Sequence, residues 1–278
     1  MNAQQTWREA RNLGQAILDH PSTKLQKAGI AWRIAARQLH KRLIRRPLWV
    51  RWENLWLQVH TNATSAATAY YFGRPDHWEF AFLERFLRPG DHVVDVGANV
   101  GVYSLFFAKL VGARGLVLAC EPDPQNRERL AVNLARNGFA QVRIVPTAVG
   151  ERRERLRFRS GADAISQLSE TGDLEVEVAP LDELCSGMVP RLVKVDVEGH
   201  EISVLRGAQR LLRADTPPTW LLEITPGGPG HSRRELIDML QSEKYGFYDF
   251  DEVAGKLRTA DPERPKGNNL LAVHDSMT

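Results

Sequence analysis

From Asp91 onward, short apolar runs alternate with stretches whose apolar positions recur every three to four residues. The runs 92–96, 116–120, 142–146, 192–197 and 219–224 read as strands buried on both faces. Between them, 101–111, 124–137, 200–213 and 232–244 carry the helical period, and Gly138 is placed to cap the second of these. This rhythm predicts a doubly wound α/β domain, a mainly parallel sheet covered by helices on both faces. Two segments depart from it. Arg155-Leu-Arg-Phe-Arg159 and Leu174-Glu-Val-Glu-Val178 alternate with period two, as an exposed hairpin or insertion would. Phe247-Tyr-Asp-Phe250 and Asn269-Leu-Leu-Ala-Val-His274 flank a polar loop, the pattern of an antiparallel terminal strand pair.

Upstream the pattern differs. Leu25, Ala28, Trp32, Ala36, Leu39 and Leu43 recur at three- and four-residue steps between Lys24 and Arg46, with basic residues on the other faces. An amphipathic basic helix ending at Pro47 is expected. Leu48-Trp-Val-Arg-Trp52 and Leu55-Trp-Leu-Gln-Val-His60 then read as a small β-hairpin about Glu53-Asn54, and Asp76 as the cap of a helix through Leu87 with Phe80, Leu83 and Leu87 inward. The expected organisation is a helical and hairpin extension over 1–75 and a main domain over 76–278.

At 278 residues, a 43% hydrophobic fraction and a mean hydropathy of −0.35, the chain has the composition of an ordinary globular protein. No apolar run approaches the ~18 residues that span a bilayer. The N-terminus lacks an apolar stretch between a basic start and a small-residue site, so a cytoplasmic location is expected. Cys120 and Cys185 form neither a CxxC pair nor a Cys/His cluster and read as reduced thiols in or near the core. Charge is uneven. Residues 1–60 hold eleven Lys and Arg against three Asp and Glu, a net of +8 in a chain whose total is +3, so the remainder carries −5. Such a basic arm suits an acidic surface, whereas the body need not bind polyanions.

Asp95-Val-Gly97-Ala-Asn99-Val-Gly101 ends a strand and opens a helix, the place where backbone N–H groups meet a ligand. In dinucleotide-binding turns the second glycine lets a pyrophosphate touch the backbone. Here that position is Asn99, which disfavours a nicotinamide cofactor. Glu121 ends the next strand, where a carboxylate accepts ribose hydroxyls. The set Asp95, Gly97, Asn99, Gly101 and Glu121 therefore selects a nucleoside without phosphates. Asp123 and Asn126 read as capping residues of the helix 124–137.

These motifs, followed by Leu181-Asp-Glu-Leu184, Val193-Lys-Val-Asp-Val-Glu-Gly-His-Glu201 and Val204-Leu-Arg-Gly-Ala208, resemble the FkbM-type methyltransferases over about residues 78–274. The resemblance implies a class I methyltransferase (Rossmann-like) fold, S-adenosylmethionine as cofactor, and O-methylation of a sugar or of a polyketide-like hydroxyl. It also points to Lys194–Glu201 as the second functional segment. Alternation puts Lys194 and Asp196 on one face of a buried strand, and buried charges require partners or a task. Asp196, Glu198 and His200 fall beyond the strand's carboxyl end, where ligands gather in open parallel sheets, and Glu223 should reach the same rim. The expected roles are His200 as base for the acceptor hydroxyl, Asp196 and Glu198 as orienting carboxylates, and Lys194 as a structural partner. The competing reading is that His200 and Glu201 only begin a helix. Asp196 and Glu223 lack a third oxygen ligand at diagnostic spacing, so no metal is expected.

The acceptor class expected is a small molecule, a glycan or a lipid-linked glycan. Three readings of the arm stand. Its apolar stripe packs on the main domain or a second subunit, or it attaches reversibly to anionic lipid at the inner face of a membrane, or it binds RNA. No RNA-binding motif accompanies it, so nucleic acid is not the expected partner. For the whole chain, the alternatives to a sugar or polyketide O-methyltransferase are an RNA 2′-O-methyltransferase and a nucleoside-binding module without catalysis.

Overall fold

The computed structural model describes residues 27–44, 46–61, 64–74, 76–160, 167–168, 172, 174–223, 233–264 and 269–277. A helix α1 (Lys27–Leu43) precedes the hairpin of β1 (Leu48–Trp52) and β2 (Leu55–Val59), which pair antiparallel with Trp52 opposite Leu55. Glu53 and Asn54 form the two-residue turn, both at positive φ (51° and 65°), the geometry that matches the twist of the strands. The hairpin is not a free-standing flap. The Asn133 and Asn137 side chains accept from the backbone N–H groups of Gln58 and Trp56 (2.9 and 2.8 Å), and Trp52, Leu55, Leu57 and Val59 are buried.

Two helices follow, α2 (Ser65–Phe72) and α3 (His77–Phe86). The first is absent from the sequence reading, because Ala66, Ala67, Ala69, Tyr71 and Phe72 are buried around most of its circumference and leave no amphipathic period. Asp76 precedes α3 but makes no side-chain cap; its carboxylate accepts from Tyr103 instead.

The main domain continues as β3 (His92–Val96), α4 (Val102–Val111), β4 (Leu116–Cys120), α5 (Pro124–Asn137), β5 (Val142–Val145), the short β6 (Ala148–Val149), β7 (Glu154–Arg159), β8 (Gln167–Leu168) and β9 (Leu174–Ala179). Then come α6 (Leu181–Leu184), β10 (Leu192–Val195), α7 (Glu201–Arg206), α8 (Gln209–Leu212), β11 (Thr219–Glu223), α9 (Arg233–Ser242), β12 (Tyr245–Asp251), β13 (Lys256–Thr259) and β14 (Asn269–His274). The central sheet runs β13-β12-β14-β11-β10-β3-β4-β5, parallel from β11 to β5 and antiparallel at the C-terminal end. The mainly parallel class I fold and its antiparallel terminal pair are thus as expected, with β14 inserted between β11 and β12.

Strand alternation sorts the core. Val93, Val117, Leu192 and Leu221 face α2–α5 and the hairpin, while Val94, Leu118, Val193 and Leu222 face α6–α9. Both cysteines are buried and unbridged. From β3 the chain moves outward through β4 and β5, then returns to β10 on the other side of β3. That reversal opens a crevice beyond the carboxyl ends of β3 and β10.

Three expectations are corrected. The helix expected over 200–213 is two, because Gly207 lies against Gly150, whose carbonyl oxygen would sit 2.0 Å from an added Cβ, and Ala208 leaves helical geometry. The segment 151–180 is more than an exposed hairpin: β6, β9, β7 and β8 make a second sheet with its own small core of Ala148, Phe158, Val176 and Val178. Finally, of the stripe read as packing on the main domain or a second subunit, Trp32, Leu39 and Leu43 are exposed, and it is Ile30, Ile34 and Arg37 that pack on the body. Arg37 tolerates burial because its guanidinium donates to the Tyr71 hydroxyl (2.9 Å) and the His60 carbonyl (3.1 Å). Leu25 lies outside the described residues.

Candidate active site

The crevice is a cavity of about 330 Å³ whose wall runs from Gly97, Asn99 and Glu121 to Asp196, Glu198, His200 and Glu223. At its cofactor end the chain turns sharply. Gly97 (φ +81°) and Ala98 both donate to the Cys120 carbonyl at 3.0 Å, and a Cβ on Gly97 would lie 1.9 Å from the Asp196 carbonyl oxygen. Asn99 adopts φ +51°, a region Asn tolerates better than most residues, and its Oδ1 accepts from the Val100 N–H at 2.6 Å. Asn99 is therefore a turn-former. Gly101 (φ +91°) lies off the cavity: Leu130 would be 2.4 Å from an added Cβ, so this glycine serves the packing of α4 on α5.

Glu121 is buried, and its two oxygens accept from the backbone N–H groups of Asn99 (2.7 Å) and Asp123 (2.8 Å). Desolvation outweighs these bonds and pushes its carboxyl up to about 7. Asp123 caps α5, accepting from Gln125 and Asn126, as expected. Asp95 is fully buried. Its Oδ2 accepts from Ser104 at 2.6 Å, and its Oδ1 has no hydrogen-bond partner among the described residues. An orphaned carboxylate oxygen on the cavity wall, a backbone brought close by glycine, and a pre-held carboxylate at Glu121 fit an adenosine-bearing ligand with a cationic end.

The other end of the cavity is a charge cluster built by register. Lys194 pairs with Asp95 on β3 and with Leu221 on β11, so Asp196, just past β10, and Glu223, the last residue of β11, are neighbours. Lys194, 2% exposed, donates to Asp196 Oδ2 at 3.0 Å and lies 4.5 Å from the Tyr103 ring centroid. Desolvation opposes its charge, but Asp196, Asp95 and Glu223 together hold its ammonium above the ordinary lysine range. Register sets Glu223 beside Asp196; desolvation first, then that neighbouring charge, pushes it up to about 8. Glu198, at φ +51°, is also raised by burial and by Asp196. His200 is the residue before α7 and makes no side-chain cap there. Glu201 is buried and accepts from the Gly199 N–H at 2.9 Å.

Behind the cluster, the Tyr103 hydroxyl lies 2.8 Å from Asp76 and 2.7 Å from Glu79, and Asn269 donates to Glu79 at 2.6 Å. Burial first, then the Asp76 charge, raises the Glu79 carboxyl well above its usual range. Sequence reasoning missed Thr64, Ser65 and Thr68 of the cavity wall, which lie at the start of the unpredicted α2, and Phe158, read as part of an exposed hairpin.

A doubly wound sheet with a phosphate-free nucleoside turn at its switch point and a charged rim beside it defines a class I methyltransferase. Residues 95–253 match the Methyltransferase FkbM domain, and the chain belongs to that family. Its cofactor is S-adenosylmethionine. The chain is 33% identical over 137 residues to the hexuronic acid methyltransferase AglP of Haloferax volcanii, covering 45% of this chain and 52% of that protein, so it spans about half the length of this curated relative. Among solved structures it is similar to the methyltransferase FkbM of Methylobacillus flagellatus KT (18% identity, TM-score 0.47, 88% of this chain and 60% of that one). Another is Aeropyrum pernix fibrillarin with bound S-adenosylmethionine (15%, 0.41, 70% and 72%).

Proposed function

We propose that the protein methylates a hydroxyl oxygen of a sugar, free or carried on a lipid, with the adjacent Asp196 and Glu223 carboxyls receiving the hydroxyl proton. The observation that carries this reading is the pair itself, two carboxyls side by side on the wall of the cavity that Glu121 also lines. S-adenosylmethionine supplies a methyl group on a sulfonium. Asp95, Gly97, Asn99 and Glu121 hold it in this reading, with Glu121 accepting from the ribose. Asp196 and Glu223 orient the acceptor hydroxyl and take its proton, Lys194 holds Asp196 in place by its hydrogen bond, and Glu198 and His200 orient the sugar at the rim. His200 as base remains the rival assignment.

The relative's name supports a sugar acceptor. A hexuronic acid offers two kinds of oxygen, a hydroxyl and a carboxylate, and only the first needs a base. Among the described residues Lys194 is the one Lys or Arg lining the cavity, and it already serves Asp196. A rim of Asp196, Glu198 and Glu223 would repel a second carboxylate, so the reading favours a neutral sugar hydroxyl. A methyl-donor screen over neutral glycosides, hexuronides and RNA tests it. The expected product is an ether stable to mild alkali; an alkali-labile ester, or methylated RNA, would overturn the reading.

Two further outcomes are expected. Because Glu223 is held neutral below about 8, kcat/KM should rise with pH and level off above that value. Glu223→Gln should flatten the rise and lower kcat by ~10²–10⁴-fold. If instead His200→Gln causes that loss and the inflection of the wild type lies near ~6.5, the histidine is the base. Glu121→Gln should weaken S-adenosylmethionine binding by roughly 10–100-fold in calorimetry, the worth of a hydrogen bond to a charged group. An unchanged Kd would remove Glu121 from the cofactor site.

We also propose that the N-terminal arm gives the protein a peripheral membrane contact. Among the described residues no helix is long and apolar enough to cross a membrane.

A further inference from the structure

The side of α1 that faces the body is fastened by polar bonds. Arg33 donates to the Tyr71 carbonyl at 3.1 Å, Arg37 to the Tyr71 hydroxyl at 2.9 Å, and Ile30, one turn before Arg33, is buried. This anchoring turns another side outward, with Trp32 and Leu43 each 73% exposed and Leu39 more than half exposed, and Ile44, just past the helix, is exposed as well. Among the described residues, four of the seven large apolar side chains that are exposed lie in this one stretch, and the other three are single valines elsewhere. A concentrated patch of this kind marks an interaction surface, whereas scattered exposed side chains do not. Arg42 and Arg46 are exposed at its C-terminal end.

We infer that Trp32, Leu39 and Leu43 are the lipid-facing side of α1, which lies in the headgroup region of an anionic bilayer with Arg42 and Arg46 toward lipid phosphates. This inference rests on the proposed membrane contact and assigns its surface. Charge selects the occupant. Residues 1–60 carry +8 and the remainder −5, so an anionic surface attracts the arm and repels the body, which orients the protein. A tryptophan with leucines on one side and arginines at the edge suits the boundary between acyl chains and headgroups. The placement also has a consequence for catalysis. The helix that α1 grips, α2, supplies Thr64, Ser65 and Thr68 at its start to the cavity wall, so the docked face is one helix away from the acceptor site.

Co-sedimentation of the full chain with vesicles tests the assignment. Wild type should bind vesicles containing phosphatidylglycerol and bind pure phosphatidylcholine at least tenfold more weakly. The triple variant Trp32→Ser, Leu39→Ser, Leu43→Ser should lose at least tenfold in partitioning, and Arg42→Glu with Arg46→Glu should lose the preference for anionic lipid. Both should keep the wild-type melting temperature and their methylation of a soluble acceptor, because these side chains are exposed and distant from the site. Wild type that binds neither vesicle at low salt would end the membrane contact altogether. Wild type that binds while the triple variant binds equally would overturn the assignment of this face and leave the contact standing. A wild-type dimer that the triple variant converts to monomer, without lipid binding, would make the face a contact between copies.

Discussion

Gly97→Ala is expected to lower thermal stability by several degrees and S-adenosylmethionine affinity below detection. Two costs coincide at this position. An L-residue at φ +81° carries the strain of left-handed geometry, roughly 1–2 kcal/mol, and the added methyl would meet a backbone oxygen at 1.9 Å. That oxygen cannot retreat cheaply, since the Asp196 N–H donates to the Val96 carbonyl at 3.0 Å and ties the two strand ends together. Overpacking of this kind adds roughly 1–3 kcal/mol. Gly187 is the natural control: it has φ +76° but open space around its missing Cβ, so Gly187→Ala carries the strain alone. Differential scanning fluorimetry and calorimetry on both variants separate the terms. Equal melting temperatures for the two, with binding retained in Gly97→Ala, would show that the close approach of Gly97 to Asp196 does not exist in solution.

Lys194→Met is expected to destabilise the fold by about 3–5 kcal/mol at neutral pH, the usual cost of leaving a buried charge unpaired. Methionine fills much of the space, so the loss is electrostatic. The lysine is the cation common to Asp95, Asp196 and Glu223, and removing it leaves carboxylates facing one another in a desolvated site. The sign of the pH dependence follows. Without the lysine these carboxyls ionise less readily in the folded state than in the unfolded chain, so the penalty is felt where the unfolded chain is ionised and shrinks as pH falls. Denaturant melts at pH 8 and pH 5 should show the larger deficit at pH 8. A deficit of the same size at both would mean that packing against Tyr103, not charge, is what Lys194 contributes.

Much of the site was legible in the sequence because it is built from local pieces. Asn99 can sit at positive φ and bond its own neighbour, Asp123 can cap the helix that follows it, and strand alternation puts Lys194 and Asp196 on one side. Each depends on residues within a few positions. Gly101 shows where such reading ends. It belongs to the motif by spacing, yet its reason is Leu130, 29 residues on. Phe158 and the start of α2 were not legible as cavity wall, since only the approach of the second sheet and of the hairpin connection brings them to the crevice. Glu223 was legible as a strand end, but its raised pKa depends in part on Asp196 lying across from it, which is a matter of register between strands 27 residues apart.

The sequence by itself determined the alternation of strands and helices, the parallel sheet with its antiparallel end, the tight hairpin and the phosphate-free nucleoside turn. Short-range sterics and hydrophobic period are enough for these. Only the tertiary structure decided which side of α1 faces water. The period defines an apolar stripe but not what it faces, and the Tyr71 hydroxyl and the His60 carbonyl, which receive Arg37, offered enough hydrogen bonding to bury the charged side and turn the tryptophan outward.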